Sequence, residues 1–343
     1  MNNNFQEQEA LLAAYFDAEA LRSEPEAVYR IQKGGRRYYY RFTESGDPDF
    51  LPSVTTLTKA VLPTSPWLIK WIGDMGTDRA EAYRDERAHY GTVMHGLIAQ
   101  LLIERKLDLD EGLDLYCQQY AERELSVSEA MIERWAPELK KDILAFAIFC
   151  QQHKVKPLAI EISLASSLLG YGGQLDLPCL MTIEEYGDNG EVYKSGAKKG
   201  ETKLTKAPVE IRALIDFKSN RENFYEENEL QLILYRELWN EKFPGFPIER
   251  VFNWSPKNWR TSPTFNFKEQ TGSKFAERYK ILLELSREEF RDNSMNHVQI
   301  IGGVVDLDGD LTQNIEAHSF EEIARGRSEK KADITKNIER AKK

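Results

Sequence analysis

Apolar residues recur at two different spacings along the chain, and the alternation of these spacings predicts an α/β fold. Positions three and four residues apart are typical of one buried helix face, whereas a period of two is typical of a strand. Helical spacing predicts helices over residues 5–22, from 54, from 66, and over 91–102, 126–133, 137–153, 225–242 and 272–292. Strand patterns occupy residues 28–32, 37–42, 157–165, 171–180, 211–217 and 251–254, and a short β-like stretch lies between 294 and 320.

Several of the predicted helices have, at or near their first residue, a side chain that favours a helix start. Ser53 or Thr55 can cap the helix that begins near residue 54, and Thr92 can cap the helix that follows Gly91, because hydroxyl groups accept hydrogen bonds from the first free N–H groups of a helix. Pro137 suits the first turn, where its missing N–H costs nothing. We therefore expect helices to begin at these points.

The predicted elements divide the chain into three parts. Residues 1–50 form an N-terminal helix and hairpin, residues 51–295 form a central domain, and residues 296–343 form a C-terminal extension with a basic tail. Within the central domain, the polar helical segment 106–155 is predicted to be an insertion. Residues 184–208 are rich in Gly, Lys and Glu and short of apolar residues, so they are predicted to be a mobile excursion between two strands.

Composition is that of an ordinary globular protein, with 41% hydrophobic and 30% charged residues over 343 positions. No apolar run is long enough to span a bilayer, and the N-terminus lacks the basic and apolar regions of a signal peptide, so we expect a cytoplasmic protein with no membrane partner. The three cysteines, Cys117, Cys150 and Cys179, are far apart and are expected to be reduced core thiols.

Charge is distributed unevenly. The net charge of −10 argues against a polyanionic partner, because nucleic-acid binding uses Lys and Arg to neutralise phosphates. However, residues 194–206 carry five lysines against one acid, and residues 325–343 carry eight basic residues. Local basic surfaces can therefore coexist with an acidic whole.

The run over residues 211–220 carries the sharpest chemical signal. Because strand side chains alternate between two faces, Asp216 and Lys218 project together while Phe217 points into the opposite layer. Upstream, Asp176 follows a glycine pair in a short apolar segment. Two acids and one lysine can form a metal site with an adjacent proton handler, and carboxylate oxygens suit Mg²⁺ or Mn²⁺. A simple exposed salt bridge between Asp216 and Lys218 is the alternative.

A series of short motifs surrounds this run in a characteristic order. In chain order they are Pro52-Ser53-Val54-Thr55-Thr56, Gly91-Thr92-x-x-His95, Glu161, Gly172-Gly173-x-x-Asp176, Asp216-x-Lys218 and Gln231-x-x-x-Tyr235. This order resembles the PD-(D/E)XK nuclease superfamily, and within it the RecB-type branch that includes phage and mitochondrial genome-maintenance exonucleases. The matching pieces lie between residues 52 and 260.

The resemblance implies a fold and a set of site residues. The fold would be a restriction-endonuclease-like core with topology αβββαβ, a mixed central sheet flanked by helices. The metal ligands would be the side chains of His95, Glu161, Asp176 and Asp216 and the backbone carbonyl of Phe217. Lys218 would orient or deprotonate the attacking water, and Gln231 and Tyr235 would hold the DNA strand or the lysine. The cysteines lack the spacing of the four-cysteine iron–sulfur cluster that some neighbours carry, so no such cluster is expected.

The same resemblance implies a Mg²⁺- or Mn²⁺-dependent DNA exonuclease that acts on single strands or DNA ends in replication, recombination or repair. It also implies a phage origin and recombination or replication proteins as partners. Candidate phosphate contacts are Arg221, Lys257, Arg260 and the lysine-rich segment within 184–208. Trp259 and Trp254 can stack on bases, although for Trp254 core packing is an equal alternative. Trp67 and Trp71, four residues apart on a predicted helix, are expected to be core residues.

Three alternatives are open from the sequence. An endonuclease or a double-strand end-resecting nuclease of the same superfamily would share every site residue. An accessory protein that binds DNA without cleaving it would explain the basic tail, but it would not explain the presence of Asp176, Asp216 and Lys218 together. A non-nuclease α/β protein would use Asp216 and Lys218 only as a surface ion pair.

Overall fold

The computed structural model describes residues 28–33, 35–43, 48–124, 126–192, 194–195, 199–200, 202–221, 224–272, 283–284, 298–301 and 315–318. The predicted helix over residues 5–22 and the basic tail from residue 321 lie outside the described residues, as does most of the predicted helix over 272–292. The chain divides into two compact units. The first takes its described residues from Leu62–Leu164 and Gln174–Arg278, and the second from Glu26–Val61, Ala165–Gly173 and Tyr279–Lys343.

The described elements alternate between helices and strands. The helices are α1 (Val54–Val61), α2 (Pro66–Met75), α3 (Thr77–Glu104), α4 (Glu111–Arg123), α5 (Glu129–Gln152) and α6 (Glu226–Lys242). The strands are β1 (Tyr29–Lys33), β2 (Arg36–Phe42), β3 (Pro48–Pro52), β4 (Lys156–Pro157), β5 (Ile162–Ser166), β6 (Tyr171–Leu175), β7 (Leu177–Val192), β8 (Thr202–Phe217), β9 (Arg250–Pro256), β10 (Phe265–Glu269), β11 (Val298–Ile301) and β12 (Ile315–His318).

The second unit contains a three-stranded antiparallel sheet in the order β1-β2-β3. The predicted hairpin at its start is confirmed, and Gly35 has a φ of 73°, a left-handed conformation that glycine adopts without strain. The ring of Tyr40 stacks on Tyr29 across the two strands, with centroids 5.1 Å apart. Ser53 caps α1 as predicted, because its Oγ accepts a hydrogen bond from the Thr56 N–H at 3.0 Å. Strands β11 and β12 form a separate antiparallel pair.

The first unit is built on a five-stranded sheet in the order β10-β9-β8-β7-β4. Strands β8 and β9 are parallel and the other pairs are antiparallel, so the sheet is mixed. Residues 213–217 of β8 are buried without interruption, which requires cover on both faces of the sheet. Phe146 of α5 supplies part of that cover, with its ring 5.2 Å from the rings of both Phe217 and Trp254. The predicted α/β class, with a mixed central sheet flanked by helices, is confirmed.

Two predicted helix starts are wrong. Helix α3 begins at Thr77, so Thr92 lies in its interior, where its hydroxyl donates to the Ala88 carbonyl at 3.0 Å instead of capping. Pro137 lies inside α5, which begins at Glu129 after a cap by Ser128. The helix continues through the proline because buried side chains on both sides of it, such as Trp135 and Leu139, hold the two turns against the core.

Residues 184–208 were predicted to be a mobile excursion between two strands, but most of them belong to the strands themselves. Strand β7 continues to Val192 and β8 begins at Thr202, so these residues form the distal arms of a long antiparallel hairpin. Backbone pairing satisfies the N–H and C=O groups of both arms without apolar side chains, which is why hydropathy did not indicate strands. Strand β10 was not predicted from the sequence either.

Burial separates the tryptophans. Trp254 is fully buried, so core packing is the correct alternative for it. Trp67 is 61% exposed, and no residue of α2 is buried, so the prediction of core positions on this helix is wrong.

All three cysteines are free; Cys117 and Cys179 are buried and Cys150 is half-buried. Among the described residues, no helix has both the length and the apolar character needed to cross a membrane.

Candidate active site

The two acids upstream of β8 are brought together at strand ends. Asp176 lies in the single-residue break between β6 and β7, and Glu161 immediately precedes β5. The Glu161 N–H donates to the Asp176 carbonyl at 2.8 Å, and Glu161 has a φ of 51°, which is uncommon for a residue other than glycine. This local backbone geometry directs both carboxylates toward α3, where His95 completes the group.

His95, Glu161 and Asp176 form a cluster that can hold a metal ion, with one ligand atom from each residue within 4.8 Å of the others. The His95 Nδ1 lies 3.0 Å from Glu161 Oε1 and 3.6 Å from Asp176 Oδ1. Gln174 donates to Glu161 Oε2 at 2.7 Å and so orients the carboxylate. One imidazole and two carboxylates are a set of side chains that can hold a metal ion, as predicted, and the identity of the ion as Mg²⁺ or Mn²⁺ stays a prediction.

A second cluster begins at the carboxyl end of β8. The Lys218 ammonium donates to Asp216 Oδ2 at 2.7 Å and to Gln231 Oε1 at 3.0 Å. Gln231 in turn donates to the Tyr235 hydroxyl at 2.9 Å, so the two helix neighbours predicted from i,i+4 spacing are in contact. Asp216 and Tyr235 are buried, and Lys218 and Gln231 are partly buried. These four residues form one continuous hydrogen-bonded chain.

The two clusters meet at the backbone of β8. The Phe217 N–H donates to Asp176 Oδ2 at 2.7 Å, while the residues on either side of Phe217 are Asp216 and Lys218. The Phe217 ring is buried in the core, on the face opposite these two side chains, as predicted. The structure therefore brings together all seven predicted catalytic residues: His95, Glu161, Asp176, Asp216, Lys218, Gln231 and Tyr235. The assignments of the Asp216 carboxylate and the Phe217 carbonyl as metal ligands stay predictions.

Electrostatics in the site favour bound protons. Burial lowers the pKa of the His95 imidazole, but the Asp176 and Glu161 carboxylates outweigh this effect and raise it to about 9. Burial, together with the neighbouring acids, raises the pKa of Asp176 to about 8. For Lys218, burial lowers the pKa, but Asp216 and Asp176 outweigh it, so that the pKa is raised above its usual value. A cation that binds at neutral pH must therefore displace protons.

Arg221 was predicted to contact DNA phosphates, but its guanidinium is engaged within the protein. It lies 2.8 Å from the buried Asp142 carboxylate and 3.2 Å from Glu138. The Tyr90 hydroxyl donates to the same Asp142 at 2.5 Å. These contacts neutralise the Arg221 charge and anchor the segment that follows Lys218.

Of the other predicted DNA contacts, Tyr235 is buried, whereas those that follow β9 are on or near the surface. Lys257 and Arg260 are exposed, and Trp259 is half-buried with the Lys141 ammonium 5.6 Å from its ring centroid. In the hairpin formed by β7 and β8, Lys203 and Lys206 pair with acids of the opposite arm at 3.0 and 3.4 Å. This pairing reduces the basic character that the sequence suggested for the segment.

Sequence reasoning missed three polar residues around the site. Gln174 lies two positions before Asp176, so strand alternation could have identified it. Asn253 is a fully buried amide in the otherwise apolar strand β9, and a polar residue in such a run is itself a signal. Gln270 is buried after β10 and had no local signal, because its role depends on tertiary contacts.

No family model matches the chain, and no curated protein matches it either. Its function is therefore inferred from the chemistry of its own residues.

Proposed function

We propose that the chain is a Mg²⁺- or Mn²⁺-dependent DNA exonuclease of the PD-(D/E)XK superfamily, RecB-type branch, acting on single strands or DNA ends. The observation that carries the proposal is the meeting of a metal-binding group with a buried acid–lysine pair at one point of β8. A surface ion pair would not need Lys218 to contact both Asp216 and a helix glutamine. The pair is also not at the surface, because the Asp216 side chain is 3% exposed.

The order of elements supports the superfamily assignment. Helix α5 lies in the segment predicted to be an insertion, but its buried side chains pack in the core with the sheet, so it is taken as the first core helix. It is followed by β4, β7 and β8, which are neighbouring antiparallel strands, then by α6, and then by β9, which is parallel to β8. This sequence of elements agrees with the αβββαβ topology, if β5 and β6 are taken as an addition between the first two strands. Asp176, Asp216 and Lys218 then lie at the adjoining ends of the neighbouring strands β7 and β8.

His95, Glu161 and Asp176 would hold the cation, and Asp216, which is adjacent to them through the Phe217 backbone, would be a further ligand. A divalent cation bound there supplies Lewis-acid chemistry, lowering the pKa of water and neutralising phosphate charge. Gln174 fixes the Glu161 carboxylate, and the Phe217 N–H fixes the Asp176 carboxylate, so the ligands are oriented before substrate arrives.

Lys218 acts as an ammonium group in this proposal. Its two close partners, the Asp216 carboxylate and the Gln231 carbonyl oxygen, are both hydrogen-bond acceptors. Although burial lowers the pKa of the amine, the Asp216 and Asp176 carboxylates keep that pKa above its usual value. A cationic Lys218 orients the attacking water and stabilises negative charge that develops on the phosphate, and it does not remove a proton. Tyr235 positions Gln231, and Gln231 positions the ammonium.

The proposal is tested by digestion of end-labelled linear single-stranded DNA, linear duplex and circular single-stranded DNA, with Mg²⁺ and with EDTA. We expect the wild-type protein to degrade linear DNA only with the metal. We expect Lys218→Ala to lose activity by about 10²- to 10³-fold, the usual cost of removing one donor that stabilises charge in the transition state. Lys106→Ala, at an exposed lysine, is the control and should retain full activity.

The outcomes separate the alternatives. Cleavage of the circles would favour an endonuclease, and preferred degradation of duplex ends would favour an end-resecting enzyme. DNA binding without cleavage would favour an accessory protein, and unchanged cleavage by Lys218→Ala would overturn the mechanism.

A further inference from the structure

Asn253 is a buried amide placed directly beside Asp216. The two residues are paired in register across the parallel strands β8 and β9. The Asn253 Nδ2 donates to Asp216 Oδ2 at 2.8 Å, and Asn253 is 0% exposed. Its neighbours on the strand, Phe252 and Trp254, are core residues. An amide at this position requires hydrogen-bonding partners, because a buried polar group without them is destabilising.

The second partner of Asn253 is Gln270, which donates from Nε2 to Asn253 Oδ1 at 3.2 Å. Gln270 is itself 5% exposed, and its backbone N–H donates to the Val251 carbonyl at 2.9 Å, which fixes its place beside β9. Because the carbonyl side of Asn253 faces a donor, its NH₂ side must face Asp216. A rotated amide would place NH₂ against NH₂ and oxygen against oxygen.

The contacts of Asp216 explain what this arrangement can do. Oδ2 accepts from both Asn253 and Lys218, whereas Oδ1 accepts from Lys218 at 3.0 Å. Asn253 therefore fixes the plane of the carboxylate from β9, while the Lys218 ammonium contacts both of its oxygens. Hydrogen bonds of this kind orient carboxylates in metal sites.

We infer that Asn253 and Gln270 form a positioning relay that sets the orientation of the Asp216 carboxylate and, through it, cation binding and the place of Lys218. The inference rests on the proposed function for its catalytic consequence, but its effect on cation binding can be measured separately. Neither residue touches substrate, so both are positioning residues.

The test uses near-isosteric variants of the full chain. In Gln270→Glu, the new carboxylate cannot donate to Asn253 Oδ1, so the Asn253 amide rotates and turns its oxygen toward Asp216. Gln270→Met removes the donor without reversing the polarity. The matched control is Asn266→Asp on β10, whose amide donates to Ser255 at 3.2 Å outside the relay. Free Mn²⁺ is measured by electron paramagnetic resonance, alongside thermal melting and steady-state DNA cleavage.

We expect Gln270→Glu to weaken Mn²⁺ binding by about 10- to 100-fold, the typical effect of losing an orienting partner of a metal ligand, and to lower kcat while KM for DNA stays within about twofold. Gln270→Met should have a smaller effect, and Asn266→Asp none. A purely structural role predicts similar melting shifts for both Gln270 variants with unchanged Mn²⁺ affinity in the folded fraction, and that result would overturn the inference. If Gln270→Glu fails to fold, the same comparison of Gln270→Met with the control decides.

The two proposals fail in different ways. Wild-type protein that binds Mn²⁺ but cleaves no DNA would contradict the nuclease function, while weakened Mn²⁺ binding by Gln270→Glu would still support the relay. Metal-dependent cleavage by the wild type with unaltered Mn²⁺ affinity and kcat in Gln270→Glu would contradict the relay alone.

Discussion

Substitution of Gly96 by alanine tests how closely α4 packs against the helix that carries His95. A Cβ atom at Gly96 would lie 1.7 Å from the Tyr116 hydroxyl oxygen and 2.6 Å from Cζ of the same ring. Both separations are far shorter than van der Waals contact, so the tyrosine or its helix must move. Gly73 in α2 is also inside a helix, but a Cβ there meets nothing within 4 Å. Glycine-to-alanine substitution should therefore change the free energy of unfolding in opposite directions at the two positions.

The magnitudes follow from two opposing effects. Alanine is favoured over glycine in a helix interior by about 1 kcal/mol, so Gly73→Ala should stabilise the protein by about 0.5–1 kcal/mol. Overpacking typically costs about 1–3 kcal/mol. At Gly96 the helix gain offsets only part of this, so Gly96→Ala should destabilise by about 1 kcal/mol, and by more if the Tyr116 ring cannot tilt away.

The assay is urea unfolding of both variants, followed through the same transition because both glycines belong to the first unit. A double variant supplies the control, since Gly96→Ala in a Tyr116→Ala background should become stabilising, as at Gly73. A gain in stability from Gly96→Ala with Tyr116 intact would refute the steric reasoning.

Three further predictions concern charge and exposure. Because protons on His95 (pKa about 9) and Asp176 (pKa about 8) compete with the cation and are lost as pH rises, Mn²⁺ affinity measured by titration should increase between pH 6.5 and 8.5; a flat profile would contradict the raised pKa values. Arg221→Met should destabilise by about 3 kcal/mol in urea unfolding, since it leaves Asp142 buried without its close cation, and a change below about 0.5 kcal/mol would contradict that role. Trp67→Ser should change the free energy of unfolding by less than about 0.5 kcal/mol, because the side chain is 61% exposed; a larger loss would reveal hidden packing.

Local patterns predicted the parts of the site that depend on local geometry. Strand alternation placed Asp216 and Lys218 on one side of β8, and helical spacing made Gln231 and Tyr235 neighbours. The cap of α1 by the Ser53 hydroxyl could be predicted for the same reason, because the cap joins residues only three positions apart.

Features that depend on tertiary contacts could not be predicted in this way. Gln270 reaches Asn253 from 17 residues away, and the arms of the β7–β8 hairpin are stabilised by pairing with each other and not by an apolar pattern. Thr92 and Pro137 favour a helix start, but α3 and α5 continue through them. Packing of a long helix against the core contributes more to stability than a single helix-starting residue does.

The central claim is that the metal-binding group and Lys218 form one catalytic site with divided roles. The most direct measurement compares Mn²⁺ binding and cleavage of end-labelled single-stranded DNA in Asp176→Asn and Lys218→Ala, with Asp110→Asn at an exposed position as the control. We predict that Asp176→Asn loses both Mn²⁺ binding and cleavage, and that Lys218→Ala retains Mn²⁺ binding but loses cleavage. Cleavage that persists in either variant, or Mn²⁺ binding that is unchanged in Asp176→Asn, would contradict the claim.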